Sequence, residues 1–213
     1  MKESYLKGMT TLAESQATRE LIDVLIPYVV FEDVPPRTKL YLSIDGMNMC
    51  YILQSGLVKV GRETDDFVMS SLPTPNIFGI TNMIPDASGL FLETVSVAKI
   101  ATLKTERAHE IIAERNAWKL LVGHITKITT NLFKNNAIMT APTSYDVLKF
   151  QLLALMREPD NLRQSTTAAK YILERTRLSR STVMKMLSQL KVGGYIEIED
   201  GMLKAVHRLP EKY

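Results

Sequence analysis

Cysteine, histidine and tryptophan are scarce in this chain of 213 residues, which has one cysteine, three histidines and one tryptophan. An iron–sulfur cluster needs several thiolate ligands, so Cys50 alone cannot hold one within the chain. His109 and His124 fall on a predicted helix and His207 follows the last predicted strand, so they do not form a catalytic metal site of several imidazoles. We therefore expect no metal and no cofactor.

Long apolar runs and enzyme signatures are also missing. No run of about eighteen apolar residues occurs, and the N-terminus leads into a polar helix rather than a signal core, so we expect a cytoplasmic protein with no membrane partner. The sequence contains no nucleophile elbow, phosphate-binding loop or dinucleotide fingerprint, which argues against an enzyme. A hydrophobic content of 46% over this length is enough for the cores of two small domains.

Basic side chains are concentrated between Lys170 and Lys191. Six cations accompany one acid, Glu174, in this segment, a net charge of +5, whereas the whole chain carries +3. Ser179 is a suitable N-cap, and the pattern that follows is helical to Lys191, with apolar residues on one arc and polar residues on the other. Such a helix suits DNA, because neutralising phosphates releases condensed counterions. An ordinary solvated basic face is the alternative.

The residues after this helix predict a small β-ribbon. Gly193 and Gly194 end the helix, and strand-like runs from Tyr195 to Ile198 and from Met202 to Val206 surround a turn. Helix, turn, helix and ribbon together form a winged helix-turn-helix. The tip of the ribbon is acidic, so we expect the preceding recognition helix to carry most of the binding.

The run from Leu178 to Leu187 resembles the recognition motif of the cyclic-AMP receptor protein and fumarate-nitrate regulator superfamily of bacterial transcription factors. The chain also resembles the enterobacterial group described as inhibitors of hydrogen peroxide resistance, a group that is itself similar to this superfamily. The resemblance implies that Arg180, Ser181 and Lys185 read base edges. Ser181 departs from the acidic residue common at that position, which predicts a different DNA sequence preference. The full set of predicted DNA-binding residues is Arg180, Ser181, Thr182, Lys185, Ser188, Arg177, Arg175, Lys170, Thr167 and Lys191.

Short apolar alternations between Val29 and Leu103, interrupted by prolines and glycines, predict an all-β barrel or roll after an N-terminal helix. The strand–turn–strand around Gly56 and the turn at Gly79 resemble those of the superfamily. The fold class is therefore α+β, with a cyclic-nucleotide-binding-like β-roll (a double-stranded β-helix), a long dimerisation helix and a winged helix-turn-helix. The predicted limits of the three domains are 1–104, 105–140 and 141–213.

The resemblance also predicts what the β-roll has lost. In the superfamily a Glu soon after the turn glycine holds the ribose, and an Arg-Ser pair holds the cyclic phosphate. Here residues 80–83 contain no acid, and no Arg or Lys occurs between Arg62 and Lys99. Without a cation, the phosphate would lose its charge-assisted hydrogen bonds, so we expect no response to cyclic AMP. Cys50 is a candidate redox sensor, although strand cysteines are usually buried and inert.

Apolar residues at heptad spacing between Ile111 and Met139 predict the seam of a parallel coiled-coil homodimer. A long helix buried in a core would give the same stripe. The resemblance implies that this helix dimerises and that its shift transmits the state of the barrel. The predicted interface residues are Trp118, Leu121, Ile125, Ile128, Leu132 and Asn135.

The sequence therefore predicts a dimeric, sequence-specific DNA-binding transcription regulator. Its partners are double-stranded DNA and a second copy of the chain, and the resemblance adds RNA polymerase as a candidate. A protein-interaction module that docks a partner through its winged helix is the alternative. A steep dependence of binding on salt distinguishes the first function from the second.

Overall fold

The computed structural model describes residues 15–65, 67–81, 89–139 and 143–211, with the backbone alone for residues 134–139. It divides into two compact units, one up to Leu132 and one from Phe133 onward. The three domain limits given above remain predictions. Within the described ranges, no helix is both long enough and apolar enough to cross a membrane.

The first unit is a β-roll with helices at both ends of its sequence. Helix α1 (Gln16–Leu25) continues into a 3-10 turn (Ile26–Tyr28). The strands described after it are β1 (Phe31–Val34), β2 (Lys39–Tyr41), β3 (Ser43–Ile44), β4 (Met47–Ser55), β5 (Val58–Arg62), β6 (Phe67–Leu72), β7 (Asn76–Phe78), β8 (Leu90–Thr94) and β9 (Ala98–Lys104). Helices α2 (Thr105–Glu114) and α3 (Trp118–Met139) follow.

The strands form two antiparallel sheets. One has the order β1-β9-β4-β3 with β7 also paired to β4, and the other has the order β2-β8-β5-β6. The run around Gly56 is therefore a corner between sheets and not a hairpin, because β4 and β5 belong to different sheets. Gly56 has a φ of +101°, and a Cβ atom there would lie 2.5 Å from the Cα of Ala98. Only glycine suits this corner.

Two apolar cores stabilise the β-roll and the helices packed against it. Alternate side chains of the two sheets meet in the first core, which contains Leu42, Tyr51, Leu53, Val58, Val60, Leu92, Ala98 and Ile100. The opposite face of the first sheet packs against the helices in the second core, which includes Leu21, Leu25, Cys50, Ile52, Ile77, Ala101, Ile111, Ile112 and Leu121. Both follow from the period of two along a strand.

The helical path is interrupted between α2 and α3. Asn116 has a φ of 52°, a left-handed conformation that ends the helical path before Trp118. Asn is one of the few residues other than glycine that adopts this conformation readily. Ile111 therefore lies on a separate helix and is buried in the core of the first unit, so the predicted heptad does not run continuously from Ile111 into α3.

The second unit has the predicted winged helix-turn-helix architecture. Its elements are α4 (Ser144–Leu155), α5 (Asp160–Arg163), α6 (Ala168–Arg175), α7 (Arg180–Val192), β10 (Ile196–Glu199) and β11 (Met202–Val206). The hydroxyls of Thr143, Thr167 and Ser179 cap α4, α6 and α7. Each accepts a backbone N–H that has no partner within its helix, which fixes where the helix begins. Residues 140–142, which separate α3 from α4 in the sequence, lie outside the described residues.

Candidate nucleic-acid interface

The recognition helix α7 begins in a cluster of hydroxyls. The Ser179 Oγ atom accepts a hydrogen bond from the Thr182 N–H at 3.1 Å. It also lies 2.9 Å from the Ser181 Oγ atom and 2.8 Å from the Thr182 Oγ1 atom. These contacts start the helix at Arg180, as the sequence predicts. They place hydroxyls and the positive end of the helix macrodipole together, which favours an anionic partner.

The two faces of α7 differ in burial and in chemistry. Val183, Leu187 and Leu190 are buried in the second unit. The exposed face carries residues that the sequence assigned to DNA: Arg180, Ser181, Lys185 and Ser188. Met184 is also exposed on this face, although the sequence did not single it out. The predicted amphipathic division of α7 is thus present in the structure.

Other residues predicted to contact DNA surround α7 in different ways. Arg177 lies exposed in the connection from α6, and Lys191 is exposed in the last turn of α7. Lys170 is exposed, with its Nζ atom 3.8 Å from the Glu174 carboxylate. The Thr167 hydroxyl is used as a cap, because it accepts from the Lys170 N–H at 3.2 Å.

Arg175 belongs to the interior of the second unit, which corrects the expectation that it contacts DNA. The residue is only 8% exposed, and its guanidinium carbon lies 3.8 Å from the centre of the Tyr171 ring. Its Nη1 atom is 3.7 Å from the Glu174 carboxylate. The Tyr171 hydroxyl donates to Glu158 at 2.8 Å, and burial is the main cause that raises the pKa of this tyrosine. Arg175 therefore stabilises the domain through a stacked cation–π contact.

The wing is anchored to the helix-turn-helix at its turn. The Ala168 N–H donates to the Gly201 carbonyl at 2.8 Å. Glu197 and Glu199 on β10 are exposed, and so is Asp200 in the turn. The His207 Nε2 atom lies 2.8 Å from the Glu197 carboxylate. The tip of the wing is therefore acidic, as the sequence predicts.

Helix α3 presents an exposed apolar stripe. Trp118, Ile125 and Leu132 lie on it as predicted, and Ile128 is half-buried. Leu121 is only 7% exposed and packs in the core of the first unit, which corrects the expectation that it lies at an interface. Val122, one residue further on, is 61% exposed. The sequence carries a signal for Val122, because it lies four residues after Trp118 and three residues before Ile125, as a member of the apolar stripe would. The Asn135 side chain lies outside the described residues.

Cys50 and His124 are both buried within the first unit. Desolvation raises the pKa of the Cys50 thiol far above its ordinary value, so the thiolate required of a redox sensor is disfavoured. The His124 Nδ1 atom lies 2.9 Å from the Thr18 Oγ1 atom, whereas Nε2 meets no partner at ordinary hydrogen-bond geometry among the described residues. Burial, and then Lys127, lower the pKa of His124 to about 4, against a smaller opposing effect of the Ile77 backbone.

The described interior of the β-roll holds no basic side chain suited to a cyclic phosphate. The buried polar residues of the first unit within the described ranges are Thr18, Asn76, Thr94, Thr105 and His124. Leu92 faces the core between the sheets, so its neighbour Glu93 projects to the outer face, where it lies 3.4 Å from Lys59. Residues 82–83 and 86–88, part of the sequence comparison with the superfamily, lie outside the described residues.

Comparison with known proteins supports this description. Residues 144–211 match the family described as "Winged helix-turn-helix DNA binding". The inhibitor of hydrogen peroxide resistance from Salmonella typhimurium is 26% identical over 164 residues, which cover 76% of this chain and 79% of that protein. The c-di-GMP responsive global regulator CLP of Xanthomonas campestris has a similar structure, with a TM-score of 0.71 and 15% identity, over 90% of this chain and 100% of that one.

A further solved structure, described as a transcriptional regulator of the crp/fnr family from Eubacterium rectale, has a TM-score of 0.60 and 12% identity. It covers 88% of this chain and 89% of that chain. These two structures are similar to this chain in fold, and the match over residues 144–211 assigns a winged helix-turn-helix DNA-binding domain to that part of the chain. The predicted resemblance is confirmed: the chain has the fold of the cyclic-AMP receptor protein and fumarate-nitrate regulator superfamily and ends in a winged helix-turn-helix domain.

Proposed function

We propose that this chain is a dimeric, sequence-specific transcription regulator whose β-roll does not respond to cyclic AMP. The observation that carries the proposal is the exposed face of α7, where Arg180, Ser181, Lys185 and Ser188 lie opposite a buried apolar face. A major groove is wide enough to admit such a helix, and its base edges offer acceptors to Arg and Lys. Because the target is DNA, we propose the cytoplasm as the place of action.

Binding of a labelled duplex measured by fluorescence anisotropy tests the role of this face. We expect Arg180→Ala and Lys185→Ala to weaken specific binding by about fivefold to 150-fold each, since a base contact contributes about 1–3 kcal/mol. Lys104→Ala is the matched control, because it removes an exposed cation from β9 in the other unit. Unchanged affinity in both α7 variants would contradict the assignment.

Salt dependence separates DNA binding from docking on a protein. Each phosphate that the protein neutralises contributes about −0.9 to the slope of log affinity against log salt concentration. We therefore expect a steep slope for the native chain, with a smaller magnitude where a substitution removes a phosphate contact. A chain that binds no DNA at any salt concentration, yet captures a protein through its winged helix, would favour the interaction module instead.

The exposed stripe on α3 supports a dimer. Trp118, Val122, Ile125 and Leu132 lie at spacings of four, three and seven residues, which fit a coiled-coil seam in which Thr129 occupies the position between the last two. A dimer places two recognition helices on two half-sites about one helical turn apart. RNA polymerase is a further proposed partner that the family resemblance alone suggests.

Substitution of charged residues into the exposed stripe of α3 tests whether the chain dimerises through this stripe. We expect the double variant Val122→Glu and Ile125→Glu to sediment as a monomer and to bind DNA more weakly, because the two half-sites are no longer linked. Val97→Glu, an exposed apolar residue outside α3, is the matched control and should leave the sedimentation coefficient unchanged. A double variant that remains dimeric would show that the interface lies elsewhere.

The absence of a basic side chain among the described buried residues of the roll supports the lack of a cyclic-AMP response. A ligand at about a hundred times its dissociation constant stabilises the native state by about 2.7 kcal/mol. We expect no change in melting temperature on addition of cyclic AMP at millimolar concentration. A concentration-dependent increase in melting temperature would contradict this part of the proposal.

A further inference from the structure

The exposed face of α7 contains a large apolar side chain among its polar residues. Met184 is 49% exposed. It lies one turn after Arg180 and one turn before Ser188, and next to Lys185 in sequence. The core contacts of α7 are made by other residues, and Leu187 and Leu190 among them are buried. Met184 therefore projects on the side that the cations and hydroxyls of α7 share.

The chemistry of a major groove limits what this side chain can contact. Arg180 and Lys185 lie on either side of Met184, and their positive charge attracts α7 to the anionic duplex in addition to the base contacts proposed for them. Most groups on the base edges are hydrogen-bond donors or acceptors, which a thioether cannot match well. The C5-methyl group of thymine is the apolar exception. Methionine is unbranched and polarizable, so it adapts to a small apolar contact of this kind.

We propose that Met184 is a specificity-determining residue that selects a thymine in each half-site by contact with its C5-methyl group. This inference rests on the proposed function, since it requires α7 to enter the major groove. Ser181 and Lys185 specify other positions through hydrogen bonds, whereas Met184 specifies one through apolar burial. The predicted half-site thus contains one thymine whose methyl group, and not its hydrogen-bonding edge, is read.

Replacement of thymine by deoxyuridine tests the proposal, because it removes the methyl group and leaves the hydrogen-bonding groups in place. Each thymine of the selected binding site is replaced in turn, and the affinity of each duplex is measured for the native chain and for Met184→Ala. Burial of one methyl group contributes about 0.8 kcal/mol, which is about fourfold in affinity. We expect one thymine per half-site to show this loss with the native chain and none with Met184→Ala.

Two further variants complete the design. Met184→Leu retains an apolar side chain and should keep the dependence on that methyl group. Met69→Ala removes an exposed methionine from β6 in the other unit and should behave as the native chain does. If each thymine replacement lowers affinity by the same factor in the native chain and in Met184→Ala, the inference is overturned. The proposed function as a DNA-binding regulator would still stand. Failure of the native chain to bind any specific sequence would overturn the proposed function and the inference together.

Discussion

Acidification should destabilise the first unit through His124. The imidazole is buried, with Thr18 at its Nδ1 atom and no partner at ordinary geometry for Nε2 within the described residues. Burial lowers its pKa from 6.5 to about 4, so the native state binds fewer protons than the unfolded state between these values. The contribution of neutral His124 to the free energy of unfolding is therefore fully present above pH 6.5. It decreases as the pH falls below 6.5 and is lost by about pH 4.

The expected magnitude follows from these two pKa values. Proton linkage with an unfolded pKa of 6.5 and a native pKa of about 4 lowers the free energy of unfolding by about 2 kcal/mol between pH 7 and pH 5. Most of this loss occurs below pH 6.5, where the unfolded imidazole becomes charged. Lys127, whose own pKa is lowered by burial, makes a charge on His124 still less favourable.

Urea unfolding followed by the fluorescence of Trp118 measures the effect, because this single tryptophan lies on α3 in the first unit. The comparison is between the native chain and His124→Gln, which retains a polar side chain but does not titrate. We expect the difference between their free energies of unfolding to change by about 2 kcal/mol from pH 7 to pH 5. His207→Gln on the wing is the control. Parallel pH profiles for the native chain and His124→Gln would show that His124 is not the source of the acid sensitivity.

Three other predictions concern residues whose roles the structure separates. Arg175→Ala should lower the free energy of unfolding of the second unit by about 1–2 kcal/mol, because the contact of the guanidinium with the Tyr171 ring is lost. The folded fraction should bind DNA as before, and a loss of DNA affinity without a loss of stability would contradict this role. Ser179→Ala should cost about 1 kcal/mol by removing a helix cap, and Ser179→Asp should restore most of it, as measured in urea. Cys50 should resist thiol reagents in native protein and react fully after unfolding; rapid labelling of the native chain would revive it as a redox sensor.

The winged helix-turn-helix could be predicted in detail because its signals are local. The Ser179 cap, the apolar arc of α7 and the glycines that follow it are all short-range features. The structure places α7 at Arg180–Val192 and the strands of the wing at Ile196–Glu199 and Met202–Val206. Charge concentration alone could not separate Arg175 from its neighbours, because its burial depends on the ring of Tyr171 beneath it.

The first unit shows where sequence patterns fail. The heptad from Ile111 through Leu121 looked continuous, since neither glycine nor proline interrupts it. The left-handed conformation of Asn116 separates the helices, and Leu121 is buried in the core behind the first sheet, so the exposed apolar stripe of α3 includes Val122 instead of Leu121. Similarly, the sequence predicts the strands on either side of Gly56, but it does not reveal that they join different sheets. Both differences depend on long-range packing.

Selection of bound fragments from genomic DNA, with the purified full chain near physiological salt and without an added effector, tests whether the chain is a dimeric, sequence-specific regulator. We expect enrichment of a two-fold-symmetric sequence whose half-sites are about 10 base pairs apart. Recovery of no enriched sequence by a chain shown to be folded would contradict this function.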